Sequence, residues 1–118
     1  MIELTLPYPP SVNHYWRHVG PRVLISREGR AYRERVCLAL AGRGLPRFNG
    51  PLAVQIEVFP PDNRRRDLDN LQKSLLDSMQ QGGLYIDDSQ IVDLHAIKRA
   101  VIPNGKVIVQ IKEVRCES

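Results

Sequence analysis

From Val54 to Gly83 the chain dictates much of its own folding. Val54, Ile56 and Val58 alternate with Gln55 and Glu57, the period of a strand with one buried face, and Pro60-Pro61 ends that strand because neither ring can donate to a ladder. Beyond the prolines, Leu71, Leu75, Leu76 and Met79 recur at helical spacing, so the sequence predicts a helix from Asn70 to Gln81 stopped by Gly82-Gly83. A half-buried strand leading into a one-sided helix requires a sheet layer and a helix layer that share a core.

The flanking segments extend this pattern. Ile2, Leu4 and Leu6 alternate with Glu3 and Thr5 as a short strand, and Pro7-Tyr8-Pro9-Pro10 forces a loop. That loop carries Ser11, Asn13, His14, Tyr15, Trp16, Arg17 and His18, side chains able to stack on a base or bond to phosphate. For Trp16 the favoured reading is a buried anchor, and Asn13 equally suits an Asx-turn. Ser26 caps an expected helix that runs to Gly42, with Tyr32, Val36, Ala39 and Leu40 near one face; Arg27, Arg30 and Glu34 point outward. Residues 44–50 read as a turn region. Ile91 to Val101 and Lys106 to Val114 flank Pro103-Asn104-Gly105, the pattern of a terminal hairpin. The expected order is β-α-β-α-β-β, an α/β (α+β) fold in which a small mixed sheet of about four strands carries two main helices.

The 118 residues make one domain, 1–118, able to bury roughly two-thirds of its unfolded surface. Thirteen arginines to four lysines and a net charge of +4 favour contact with a polyanion. Cys37 and Cys116 lack the spacing of a disulfide framework or a zinc site, so a reducing, cytoplasmic setting is expected. No apolar run approaches membrane length, and no membrane partner is expected.

Chemistry concentrates in Arg64-Arg65-Arg66-Asp67-Leu68-Asp69-Asn70-Leu71-Gln72-Lys73. Magnesium takes oxygen ligands from a few carboxylates, and arginines neutralise and orient a phosphate. Asp67 and Asp69 share a side only in extended chain, with Leu68 facing the core, so the pair is expected at a helix entrance with Asp69 or Asn70 as cap. Lys73 lies one turn into that helix, and Asp77, a further turn along, is a candidate partner for it. Asp87-Asp88 lies downstream; Asp87 is read first as a cap over Ser89 and second as a metal ligand. The residues alone point to metal-dependent phosphodiester chemistry.

RRRDLDNLQKSLLDSM (Arg64 to Met79), GGLYIDDSQIVD (Gly82 to Asp93) and PYPPSVNHYWR near the N-terminus resemble the RusA family of Holliday junction resolvases over nearly the whole chain. The resemblance implies one RusA-like endonuclease domain over residues 1–118, bacterial or phage-encoded. It also implies a magnesium-dependent homodimer that makes paired symmetric nicks in four-way DNA during recombination and repair. Manganese is a possible substitute, and no small-molecule cofactor is needed. Matched residue by residue, Asp67, Asp69 and Asp88 are the metal ligands and Lys73 is the catalytic lysine. Arg64, Arg65 and Arg66, with Asn13 and Arg17, are expected on DNA, and Asn70 and Asp87 in support. Two other classes stay open: a non-catalytic architectural protein of junctions, and a nuclease for flaps, single strands or RNA.

Overall fold

A computed structural model describes residues 1–114 of the chain; Cys116 lies outside them. In chain order the elements are β1 (Ile2–Leu6), α1 (Val12–Tyr15), β2 (Trp16–Val19), β3 (Arg22–Ile25), α2 (Arg27–Ala41), β4 (Leu52–Phe59), α3 (Asp69–Gln81), a 3-10 turn (Asp88–Gln90), β5 (Ile91–Lys98) and β6 (Lys106–Glu113). Four strands form one mixed sheet in the order β1-β6-β4-β5, and β2 pairs with β3 in a separate ribbon.

Alternation along β4 does what the sequence predicts. Leu52, Val54, Ile56 and Val58 are buried, and the residues between them are half-buried. Val107, Val109 and Ile111 of β6 and Leu4 and Leu6 of β1 extend that apolar face. Tyr32, Val36 and Leu40 of α2 and Leu71, Leu75 and Met79 of α3 complete the core. Each such side chain contributes about 1.5–3 kcal/mol of transfer free energy. Ala39 is exposed, contrary to expectation, because the buried stripe of α2 runs through Val36 and Leu40 at i, i+4.

Two connections differ from the sequence reading. The terminal hairpin does not form: β5 and β6 lie on opposite sides of β4, parallel and antiparallel to it respectively. Pro103-Asn104-Gly105 still turns, with Asn104 at φ 70° and the Gly105 amide bonded to the Ile102 carbonyl at 2.8 Å. That turn caps the end of β4, since the Ile102 amide bonds to the Pro60 carbonyl at 2.9 Å. β4 takes β6 because buried Val54, Ile56 and Val58 stand in register with buried Ile111, Val109 and Val107, while β5, which has no buried residue, covers its other edge.

The second difference lies between Ser11 and Ser26, expected to be a loop. It folds as one helical turn and the β2–β3 ribbon. Gly20 at φ 60° beside Pro21 supplies the tight reversal. Tyr15, not Trp16, is the fully buried aromatic, and Trp16 is half-buried with its ring edge against Tyr15. Residues 44–50 are also more than a turn, since Phe48 is buried and bridges to Tyr85.

Candidate active site and nucleic-acid groove

The proline loop is pinned from two sides. The Tyr32 hydroxyl donates to the Pro7 carbonyl at 2.8 Å and the Ser74 hydroxyl donates to the Pro10 carbonyl at 2.7 Å, tying the loop to α2 and α3. Opposite stands the segment after β4, shaped by Asp62. Its carboxylate accepts from the Arg64 amide at 2.9 Å and from both terminal nitrogens of Arg66, one at 3.2 Å. Those Arg66 bonds, with the Arg64 amide, hold the Asp62 carboxyl down to about 2. Arg66 in turn lies over the Tyr8 ring at 5.7 Å, and the Lys98 ammonium donates to the Arg66 carbonyl at 2.7 Å.

Between these walls runs a groove of about 790 Å³. Tyr8, Pro9, Pro10, Ser11 and His14 form one side, Glu28, Ala31, Tyr32 and Arg35 of α2 another, and residues 64–67 with Asn70 and Leu71 the third. Arg64 and Arg65 are exposed on it, Arg64 with only a long 3.9 Å contact to Asp62, whereas Arg66 is engaged as a brace. Asn13 is exposed on α1 away from the groove lining, and Arg17 lies on β2. Sequence reasoning missed Asp62, Glu28 and Arg35. Asp62 was detectable as an acid two residues before an amide it can cap. Nothing local marks the other two, since the fold alone brings α2 to this wall.

At the start of α3 the backbone departs from expectation. Leu68 is the cap residue in a helical conformation with no side-chain cap bond, so neither Asp69 nor Asn70 caps the helix. The first turn is tight: the Asn70 amide bonds to the Asp67 carbonyl at 3.3 Å and the Leu71 amide to the Leu68 carbonyl at 3.2 Å. Leu68 nevertheless packs on the core, and Asp67 and Asp69 are exposed on either side of it. Asp67 and Asn70 line the groove; Asp69 occupies the first helical position, where the dipole favours a carboxylate.

Lys73 does not meet Asp77. Its ammonium stands 3.6 Å from Asp88, while Asp77 accepts from Arg33 at 2.8 Å and from the Tyr15 hydroxyl. Burial first, and then the bond to Asp77, push the Tyr15 hydroxyl up. Asp87 caps the 3-10 turn, accepting from the Ser89 amide at 3.1 Å, and that bond holds its carboxyl low. Gln80 accepts from the Asp88 amide at 3.0 Å, and Gln90 fixes the entry to the Asp87-Asp88 loop. Its carbonyl accepts from the Ile86 and Asp87 amides at 2.8 and 2.9 Å, and its amide donates to the Phe48 and Gly50 carbonyls at 3.2 and 2.8 Å.

Asp67, Asp69 and Asp88 are oxygen donors, the chemistry a hard divalent cation takes. Among the described residues, no three His, Cys, Asp or Glu side chains form a group that could hold an ion. The donor chemistry therefore fits a metal, while the arrangement leaves Asp88 drawn to Lys73.

Exposed guanidinium groups on a walled groove, with carboxylates and an ammonium at its helix entrance, define a protein suited to work on a phosphodiester backbone. The family model described as Endodeoxyribonuclease RusA matches residues 7–112, and the chain belongs to that family. It is 43% identical over 113 residues to the crossover junction endodeoxyribonuclease rusA of Enterobacteria phage 82, covering 95% of this chain and 94% of the relative. The crossover junction endodeoxyribonucleases RusA of Escherichia coli strain K12 and of Shigella sonnei strain Ss046 are 42% and 43% identical, with the same coverage.

Proposed function

We propose that this chain, a structure-specific endodeoxyribonuclease of crossover junctions by its family, hydrolyses opposed strands of four-way DNA with the groove and helix entrance of α3. The observation that supports the reading is the 3.6 Å approach of Asp88, in the 3-10 turn, to Lys73 on α3, the helix that opens with Asp69 and Asn70 just after Asp67. Residues i, i+3 and i, i+4 on a helix are neighbours, so Lys73 shares a side with Asn70 and Asp69.

Asp67, Asp69 and Asp88 would hold magnesium, with manganese as a substitute. When bound, the ion supplies an activated water and charge for the leaving oxygen. Arg64 and Arg65 hold the DNA backbone along the groove, and Asn70 orients the phosphate from the groove wall. Lys73 places positive charge on the phosphoryl oxygens as negative charge develops there. Asp87 keeps its capping role, and Gln80 and Gln90 hold the Asp87-Asp88 loop in place. Two symmetric nicks in a two-fold substrate call for a two-fold dimer of single-domain chains, one acidic site in each. The setting is the cytoplasm of a bacterial cell, for a bacterial or phage product.

The experiment is cleavage of a synthetic four-way junction beside matched linear duplex and flap DNA, with magnesium and with chelator, for wild type and Asp69→Asn. Paired nicks in the junction alone, lost with chelator and in the variant, are expected. Tight junction binding without any cutting would instead make the chain an architectural protein. Equal cutting of all three substrates would remove the branch specificity.

A further inference from the structure

The β2–β3 ribbon is used neither by the core nor by the groove. Trp16 and Ile25 pack at its base, and every residue from Arg17 to Leu24 is exposed. Val19, Val23 and Leu24 retain 45, 55 and 36% of their surface in solvent, a clustering of apolar groups on an arm that a lone soluble domain gains nothing from. Opposed pairs share a face, so Arg17, Val19, Arg22 and Leu24 lie together on one side, while His18 and Val23 continue the Trp16 side beyond the body. Between Tyr15 and Arg27 there is no carboxylate.

The base of this arm is anchored. The Ser26 amide bonds to the Tyr15 carbonyl at 2.9 Å and the Ser26 hydroxyl donates to the His14 carbonyl. Tyr15 then bonds to Asp77, on the same helix as Lys73. His14, just before the arm, lines the groove that holds Asp67.

We propose that the ribbon is a DNA arm that seats on the branch point with the face that carries both arginines, Arg17 and Arg22 on flanking phosphates and Val19 and Leu24 on base faces that the branch leaves unstacked. The proposal rests on the junction reading above. Charge selects the partner: two such ribbons packed across a two-fold axis would set Arg17 and Arg22 against their own copies. Shape agrees, because a two-stranded ribbon fits a groove of DNA and apolar side chains such as leucine wedge between base steps. Phosphates exist in any DNA, but open base faces exist only where stacking is interrupted. Val19 and Leu24 therefore discriminate, and the arginines only bind.

The test uses the full chain in chelator, with affinities measured for a four-way junction and for linear duplex of the same arm sequence. Val19→Ser/Leu24→Ser is expected to weaken junction binding about tenfold and leave duplex binding within about twofold. Arg17→Ala/Arg22→Ala is expected to weaken both and to flatten the salt dependence by about two phosphate contacts. A 2-aminopurine at the branch should brighten with wild type and stay dark with the serine pair. Thermal melting of each variant, unchanged at these exposed positions, shows that it folds. If the serine pair keeps the wild-type junction preference, the arm proposal alone is overturned. If it instead changes the mass measured by light scattering, the ribbon is a contact between copies and the proposal also falls. Wild type without any junction preference would overturn the junction reading beneath it.

Discussion

The Lys73 ammonium and the Asp88 carboxylate meet at 3.6 Å although one lies on α3 and the other follows the loop beyond that helix. Both are substantially exposed, with 59% and 33% of the side chains in solvent, so the pair adds at most about 1 kcal/mol to stability. Its importance is positional. Lys73→Ala should leave the urea unfolding free energy within about 1 kcal/mol of wild type. Single-turnover junction cleavage should fall about 100-fold or more, because charge aimed at a developing oxyanion is lost. Normal cleavage by this variant would remove Lys73 from the site.

The sheet and the two long helices were legible because their signals are periodic and local: Val54-Ile56-Val58 for β4, and Leu71-Leu75-Met79 for α3. The terminal pairing was not. A Pro-Asn-Gly turn fixes a change of direction, but which strands then pair depends on β4, contributed from far earlier in the chain. The β2–β3 ribbon was illegible for a related reason, since its outward residues never met a core and so carry no clean alternation. The positions of Asp67, Asp69 and Lys73 about the start of α3 were legible by spacing, and Asp87 was rightly read as a cap. The partners of Lys73 and Asp77 were not, because Arg33 and Asp88 reach them only through tertiary packing.

Gly29 tests whether local propensity or packing rules α2. Helix propensity alone favours alanine there by about 1 kcal/mol. A Cβ at Gly29, however, would stand 2.4 Å from the Tyr15 carbonyl oxygen, a backbone atom that cannot step aside. Gly29→Ala should therefore destabilise the fold by about 2 kcal/mol or more in urea unfolding, the reverse of the propensity effect. A stabilised variant would mean that α2 and the base of the ribbon separate easily.

Asp77 joins three elements, accepting from Tyr15 of α1 and Arg33 of α2 while lying on α3. Asp77→Ala leaves the Arg33 charge without its carboxylate in a mostly enclosed place, with Tyr15 reduced to its bonds with Ser78 and Arg33, which should cost about 2–4 kcal/mol. The same measurement on Asp77→Ala/Arg33→Met should recover part of the loss, as the stranded charge is removed. No recovery would show that the aspartate acts through packing alone.

Gln90 has no role in the chemistry, yet four hydrogen bonds from its side chain set the Asp87-Asp88 loop. Gln90→Leu keeps the size and deletes all four. Supporting residues of this kind typically govern activity by about 10–100-fold, and that loss is expected in cleavage rate. Junction affinity in chelator should hold, because Arg64 and Arg65 are untouched. Raised magnesium should restore part of the rate if the variant merely loosens Asp88; a loss of DNA affinity instead would place Gln90 in the binding surface.

Asp62 gives the groove a pH signature. Its carboxyl is held at about 2 against an ordinary 3.8, first by the Arg66 guanidinium and next by the Arg64 amide. A folded value below the unfolded one contributes stability that is complete above pH 3.8 and is lost as pH falls toward 2. The brace between Asp62 and Arg66 should thus persist unchanged through the whole neutral and mildly acidic range. Carboxyl carbon shifts followed by NMR should show Asp62 titrating near 2 in wild type and moving up toward the ordinary value in Arg66→Ala. The freed segment should also exchange its Arg64 amide faster with solvent deuterium at neutral pH, since that amide has lost a fixed acceptor. An Asp62 that titrates normally in wild type would mean that Arg66 leaves the brace in solution, and Arg66 would then join Arg64 and Arg65 as a phosphate contact along the groove.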